Sequence, residues 1–229
     1  MNKEKFRPIF NVCEFLGSMF IVIAAVAPMI LFVEIFKTDI AIAVLADAIA
    51  LGFVLFALIE IFGPICTSFF NPVVTMALAI NKEISYQKAI GFIISQIFGG
   101  IAGVISVHLM FINEIPKIVY ISSIVRNSGN YFAEIIGTFI LVLAIFSLVH
   151  QKSDRVSLIV GLLVGGMVLS TSSTMFANPQ VTIARIFTYS TAGIRPLDAL
   201  IFIIMQIIGA YLALIFWKKI KISCNNIII

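Results

Sequence analysis

Two asparagines, each followed by proline, carry the chemistry that this sequence offers. They stand in Asn71-Pro72-Val73-Val74-Thr75 and in Asn178-Pro179-Gln180-Val181-Thr182. Asn before Pro is a physical helix start: the Asn side-chain carbonyl caps the first turn, and Pro at the next position has its backbone angle preset and no N–H to leave unpaired. The cap occupies the amide oxygen and leaves the NH2 group as a donor. A helix N-terminus also presents about half a positive charge. An amide donor in that field binds the oxygen of a neutral solute and opposes cations and protons. Neither motif holds a titrating side chain, so the chemistry is binding and passage without proton transfer. One Asn-Pro is no more than a turn signal; two copies, each followed after one residue by Val-Thr, point to a shared role.

The elements that must hold these motifs are membrane spans. Of 229 residues, 61% are hydrophobic and 11% charged, about half the charge of a soluble domain. Six long apolar segments lie at about 10–36, 40–63, 85–112, 130–149, 156–173 and 197–217, each able to cross a hydrocarbon core about 30 Å thick. Asn11, Asp39 and Ser85 are candidate helix starts. The apolar stretches opened by Asn71 and Asn178 are too short to cross. They read as re-entrant half-helices, which persist at membrane depth only when buried in protein or lining a wet cavity. The predicted fold is all-α, with six transmembrane helices and two half-helices in a single domain over 1–229. After Lys3, Lys5 and Arg7 the first apolar run contains Ala25-Val26-Ala27, which resembles a signal-peptide cleavage site. Pro28 follows directly and the run continues to Val33, so a retained first span is expected.

The sequence repeats itself in order. Glu14-Phe15-Leu16-Gly17-Ser18 matches Glu134-Ile135-Ile136-Gly137-Thr138, the two Asn-Pro runs match each other, and Gln96-Ile97-Phe98-Gly99-Gly100 matches Gln206-Ile207-Ile208-Gly209-Ala210. The repeat halves are about 1–115 and 125–221. Each half holds three spans, an odd number, so the second half is expected upside down relative to the first. Inversion brings the half-helices in from opposite faces, with their N-termini meeting near the midplane. The basic residues set the orientation. Lys3, Lys5, Arg7, Lys82, Lys88, Lys152, Arg155, Lys218, Lys219 and Lys221 fall on one side, and Lys37, Lys117, Arg126, Arg185 and Arg195 on the other. This predicts a multi-pass protein of the cell membrane (plasma or inner) with both termini cytoplasmic.

On these motifs and this repeat, the sequence resembles the aquaporin (major intrinsic protein) family over nearly its whole length. The resemblance implies a homotetramer with one pore per subunit, passing solutes without a cofactor. The family's two Asn-Pro-Ala motifs appear as Asn71-Pro72-Val73 and Asn178-Pro179-Gln180, so the contact that the third residue makes between half-helices is altered. Glu14 and Glu134 match buried glutamates that accept hydrogen bonds from the re-entrant loops. The selectivity filter departs from the family. Val181 stands where an Arg is usual, Leu51 where an aromatic residue is common, Met175 three residues before the second Asn, and Gly166 or Val168 at the span-five position. Phe69 replaces the usual His two residues before the first Asn. Such a constriction has no side-chain charge and few donors, which implies a wide, apolar opening. It suits glycerol-like polyols and neutral metalloid acids such as arsenous acid, with water also a candidate. Val181 together with Thr182-Ile183-Ala184-Arg185 is similar to metalloid-permeable bacterial members. Arg185 lies one turn outward of Val181 on the same helical face. It either restores a positive charge at the outer mouth, or snorkels to headgroups or bonds loop carbonyls.

The remaining polar residues read more plainly. Asp47 and Glu60 are expected in interfacial solvation or subunit contact, and His108 and His150 at the interface. Gly17, Gly99, Gly100, Gly103, Gly137 and Gly209 permit close helix packing. Cys13, Cys66 and Cys224 show no metal spacing and no disulfide framework; Cys66 reads as a buried small apolar residue. The net charge of +4 is scattered rather than gathered, so no nucleic acid is expected. No nucleophile–base pair, phosphate loop or metal cluster stands out, so no enzyme, metal or cofactor is expected. The leading reading is a passive channel for small uncharged solutes in a lipid bilayer. A water-selective aquaporin is the alternative. A coupled secondary transporter would need a paired intramembrane acid, for which Asp47 alone stands. A structural junction protein would need long contact loops.

Overall fold

The structure, a computed structural model, describes the backbone of residues 8–227. Lys3, Lys5 and Arg7, and the side chain of Cys224, lie outside the described residues. Helix α1 (Pro8–Met29) begins at one face of the bundle, the first face, and continues toward the second through a wider turn at Ile30–Ile35. The widening follows Pro28, which has no N–H and interrupts the hydrogen-bond ladder. Asp39 caps α2 (Ile40–Phe62), accepting from the Ala41 N–H at 2.8 Å. The chain then turns inward to α3 (Pro72–Ile80), which is headed by Asn71. Ser85 caps α4 (Tyr86–Met110), and Asn127 with Asn130 forms a reciprocal capping pair at α5 (Ser128–His150). Next come α6 (Val156–Ser170), the short α7 (Pro179–Ala184) headed by Asn178, and α8 (Pro196–Ile227). Among the described residues there is no strand. Asp39 and Ser85 start helices as expected, whereas Asn11 lies inside α1.

Five of these helices are long and apolar enough to cross a membrane, and α6 is shorter. Its 15 residues reach about 22 Å at about 1.5 Å per residue. The apolar run expected to extend to 173 stops at Ser170 because the chain there must turn back to feed α7. Helix α1 packs on α4, α5 on α8, and α2 on α6. Glycines set the closeness of the first two pairs: a methyl at Gly99 would collide with the Phe15 carbonyl, and one at Gly209 with the Ile135 carbonyl. The outer surface carries Phe53, Phe98, Phe132 and Leu162, while Glu14, Gln96, Glu134 and Gln206 are buried. A hydrocarbon surround rewards that arrangement, because polar groups find partners only inside the protein.

Four polar or sulfur residues depart from expectation. Asp47 is buried at 2% exposure rather than solvated at an interface. His108 is also buried, with Nε2 2.8 Å from the Thr188 hydroxyl. Cys13 and Cys66 form a disulfide with Cα atoms 6.6 Å apart. It ties the start of α1 to the loop that enters the first half-helix. Residues 53 apart in sequence give no local spacing that would mark the pair. The entropy of closing that loop corresponds to about 4 kcal/mol for a fully unfolded chain, and less for one whose helices stay inserted. Cys66→Ser is therefore expected to lower the thermal midpoint of the detergent-solubilised protein, and reductant to lower the wild type to the same value. A reductant-insensitive wild type with no crosslinked Cys13–Cys66 peptide in non-reducing mass spectrometry contradicts the bond.

Candidate functional site

Each half-helix is held by the same set of bonds. In the first half, Glu14 accepts the Phe69 N–H at 3.0 Å and the Phe70 N–H at 2.7 Å through its two oxygens. Gln96 Nε2 donates to Glu14 at 2.7 Å and to the Thr75 hydroxyl at 2.9 Å, and that hydroxyl donates to the Asn71 carbonyl. In the second half, Glu134 accepts the Phe176 N–H at 3.0 Å and the Ala177 N–H at 2.8 Å. Gln206 Nε2 donates to Glu134 at 2.6 Å and to the Thr182 hydroxyl at 2.9 Å, which donates to the Asn178 carbonyl. The two glutamines marked the repeat in the sequence, but their clamping role was invisible there because their partners lie on other elements.

The residue before each asparagine is forced into the left-handed region, Phe70 at φ 50 and Ala177 at φ 44. For residues with a Cβ this costs about 1–3 kcal/mol each and persists only where the surroundings enforce it. The strain turns the two carbonyls toward each other's asparagine. Asn71 Nδ2 donates to the Ala177 carbonyl at 2.8 Å, and Asn178 Nδ2 to the Phe70 carbonyl at 2.9 Å. Their side-chain oxygens cap the half-helices, accepting from Val73 N and Gln180 N. Each NH2 carries two hydrogens, so one is committed across the junction and the second remains for an oxygen in the cavity. Gly17 admits the Phe70 ring, since any Cβ there would collide with it. Of the altered third positions, Val73 is buried in an apolar cluster with Val74 and Ala77. Gln180 is fully buried and lies 3.5 Å from the Phe70 carbonyl through Nε2. Pro72 and Pro179 occupy the first helical positions.

A cavity of about 320 Å³ runs along this junction. Glu83, Ile84, Val149 and Val156 line its first-face end, Asn71 and Asn178 its middle, and Leu51, Met175, Val181 and Arg185 its second-face part. Leu51, Met175 and Val181 are thus brought together. Gly166 instead faces a lateral groove between α2 and α6, and Val168 is buried in the core away from the cavity wall. From α6 the wall takes Val156, Val160 and, nearest the second face, Val164, with Phe176 added from the second loop. Phe69 is also on the wall, with its ring against Phe92. The constriction of Leu51, Met175 and Val181 itself carries no charge, and Arg185, one turn outward, adds one at the second-face mouth. Its Nη2 donates to the Ala25 carbonyl at 2.9 Å, its guanidinium lies 4.1 Å from the centre of the Phe176 ring, and it reaches the cavity. At the second-face rim, Asp198 accepts the Arg126 N–H at 2.7 Å and pairs with Arg195, joining the 111–127 link to the loop before α8. Burial holds the Arg126 guanidinium below its usual value, against the opposing fields of Glu134 and Asp198.

A membrane bundle with a cavity threaded between two opposed, asparagine-headed half-helices defines a solute channel. Residues 4–177 match the family described as major intrinsic protein, and the chain belongs to that family. It is 34% identical over 203 residues to aquaglyceroporin AqpS of Rhizobium meliloti (strain 1021), covering 89% of this chain and 86% of that protein. It is 30% identical over 171 residues to glycerol uptake facilitator protein-like 6 of Lactiplantibacillus plantarum (strain ATCC BAA-793 / NCIMB 8826 / WCFS1), covering 68% and 72%. The X-ray structure of the aquaglyceroporin from Plasmodium falciparum shares the fold, with a TM-score of 0.77 over 95% of this chain and 98% of that one, at 16% identity. The protein is a multi-pass membrane channel that passes small uncharged solutes passively.

Removing either clamp carboxylate orphans two buried loop N–H groups and a glutamine, at about 1–3 kcal/mol per unpaired group. Glu134→Ala is expected to lower the thermal midpoint strongly and abolish solute flux. Glu134→Gln, which keeps one acceptor, is expected to lie between it and the wild type. An unchanged midpoint in the alanine variant contradicts the clamp.

Proposed function

We propose that the channel conducts small neutral hydroxylated solutes, with glycerol-like polyols and neutral metalloid acids such as arsenous acid as the solute class. The observation that carries this reading is the pairing of two half-free asparagine amides with an apolar wall of Leu51, Val164, Met175 and Val181. Donors on one side of a passage and apolar groups on the other match a molecule that presents hydroxyls and a carbon or metalloid body. The names of two relatives, an aquaglyceroporin and a glycerol uptake facilitator-like protein, support the same class. A water-selective reading draws on Arg185, whose charge at the second-face end narrows and polarises the wall, and on a shorter match to aquaporin-5 of Sus scrofa, 30% identical over 107 residues, 45% of this chain and 40% of that protein.

In this reading Asn71 and Asn178 hold the solute oxygen at mid-membrane, and Leu51, Val164, Met175 and Val181 set the width. The first face is cytoplasmic, with both termini there, in the cell membrane, following the basic-residue bias. The repeat halves form one domain, the chain assembles as a homotetramer with one passage per subunit, and it carries out no catalysis.

Light scattering of proteoliposomes with water, glycerol, urea and arsenous acid in turn tests the reading. Glycerol and arsenous acid are expected to equilibrate several-fold faster than in empty vesicles, without saturation. Fast water with every larger solute excluded overturns the solute class, and saturable flux that follows an ion gradient overturns the passive mechanism.

A further inference from the structure

Two charged side chains at membrane depth take no part in the half-helix clamps. On α2 the cavity wall is built from Leu51, Leu55 and Ile59, one helical turn apart. Asp47 is the next position of that row, one turn nearer the second face, and is 2% exposed. On the second half-helix Val181 lines the cavity, and Arg185, one turn farther toward the same face, lines it too at 3% exposure. The two rows run in opposite directions along the chain, so Asp47 and Arg185 arrive at the same level, just beyond Leu51 and Val181. Each acts on the other electrostatically. Each also keeps a buried polar atom without a hydrogen-bond partner, Asp47 Oδ1 and Arg185 Nε.

A buried charge is tolerated in a membrane protein when it is compensated, and it commonly marks the conducted path. The other charges acting on Arg185 are Arg126 and Glu134. Glu134 is consumed by the loop N–H groups, and Arg126 donates to the Gly193 carbonyl at 3.0 Å. Within this set Asp47 is the carboxylate without a hydrogen bond to Oδ1, and it stands one turn beyond Leu51 of the cavity wall.

We propose that Asp47 and Arg185 form a specificity-determining pair that makes the second-face end of the passage electrically neutral while leaving a hydrogen-bond donor on its wall. Arg185 touches the solute and offers N–H groups to its oxygens. Asp47 is a positioning residue: it lies behind the wall and cancels the field of the guanidinium, which the Ala25 carbonyl and the Phe176 ring hold in place. An uncompensated arginine at this level would draw anions in, and an uncompensated aspartate would draw cations in. Together they refuse ions of both signs and pass neutral molecules with acceptor oxygens. The pairing rests on the reading of the cavity as a passage for neutral solutes and names the residues that enforce neutrality at one end of it.

The test is ionic current through planar bilayers under a potassium chloride gradient, with glycerol flux measured in parallel on the same preparations. Wild type and the double variant Asp47→Asn/Arg185→Gln are expected to carry no current above empty bilayers, with a lower glycerol flux in the double variant, which has lost the guanidinium donors. Asp47→Asn is expected to carry an anion-selective current several-fold above wild type, and Arg185→Gln a cation-selective one, with reversal potentials of opposite sign. A purely structural role would not produce leaks of opposite sign. Single variants that conduct glycerol without current, or leak with the same selectivity, overturn the pair. If neither single variant folds, a folded double variant without ionic current supports it and an unfolded one overturns it. A wild type that passes no neutral solute instead overturns the underlying reading of the passage.

Discussion

The fold depends on one constraint: backbone N–H groups that leave a helix at membrane depth must find acceptors inside the protein. Two stretches of chain break off from the spans, before Asn71 and before Asn178, and each exposes consecutive N–H groups far from water. One glutamate per half answers them. Glu14 takes Phe69 and Phe70, and Glu134 takes Phe176 and Ala177, each with one oxygen per N–H. A carboxylate is suited to this because its two oxygens accept two parallel donors and donate nothing. Gln96 and Gln206 then fix each carboxylate to the first turn of its half-helix through Thr75 and Thr182.

The functional geometry follows from this scaffold. With the loops held, Phe70 and Ala177 are kept in a backbone conformation they would not choose, and their carbonyls face the opposite asparagines. The resulting exchange, Asn71 to Ala177 and Asn178 to Phe70, welds the two half-helices tip to tip. It also orients each amide so that its remaining N–H faces the cavity. The positive ends of two short helices meet at one point, which repels cations and protons and costs a neutral solute little. The half-helix dipoles thus oppose cations at mid-membrane, and the side chains on the wall are left to set width, polarity and the charge balance at its second-face end.

Much of this was legible in the sequence, for identifiable reasons. The length of the apolar runs, the Asn-Pro starts and the repeated Glu-x-x-Gly and Gln-x-x-Gly runs are local signals, and they gave the spans, the half-helices and, through three spans per half, the inversion. What escaped was decided by elements meeting in space. Cys13 and Cys66 are remote in sequence, and their pairing follows from the first loop folding back onto α1. At the second-face end the wall residue of α6 is Val164 rather than Gly166 or Val168, because helix rotation, which spacing alone leaves open, turns Gly166 to the open lateral groove. Asp47 looked interfacial from its place near a span end, yet it continues the inward row of Leu51, Leu55 and Ile59 on α2 and is buried. Helix spacing placed Arg185 one turn outward of Val181, but which of its two roles it takes depends on Ala25 and Phe176, which belong to other elements.

The crossed asparagines are the centre of the account, and a high-resolution experimental structure of the protein equilibrated with glycerol tests them most directly. The account predicts that Asn71 Nδ2 and Asn178 Nδ2 each donate to the opposite loop carbonyl, with a glycerol oxygen within about 3 Å of each amide. A structure in which the amides do not cross, or in which glycerol occupies the cavity without touching either asparagine, would contradict it.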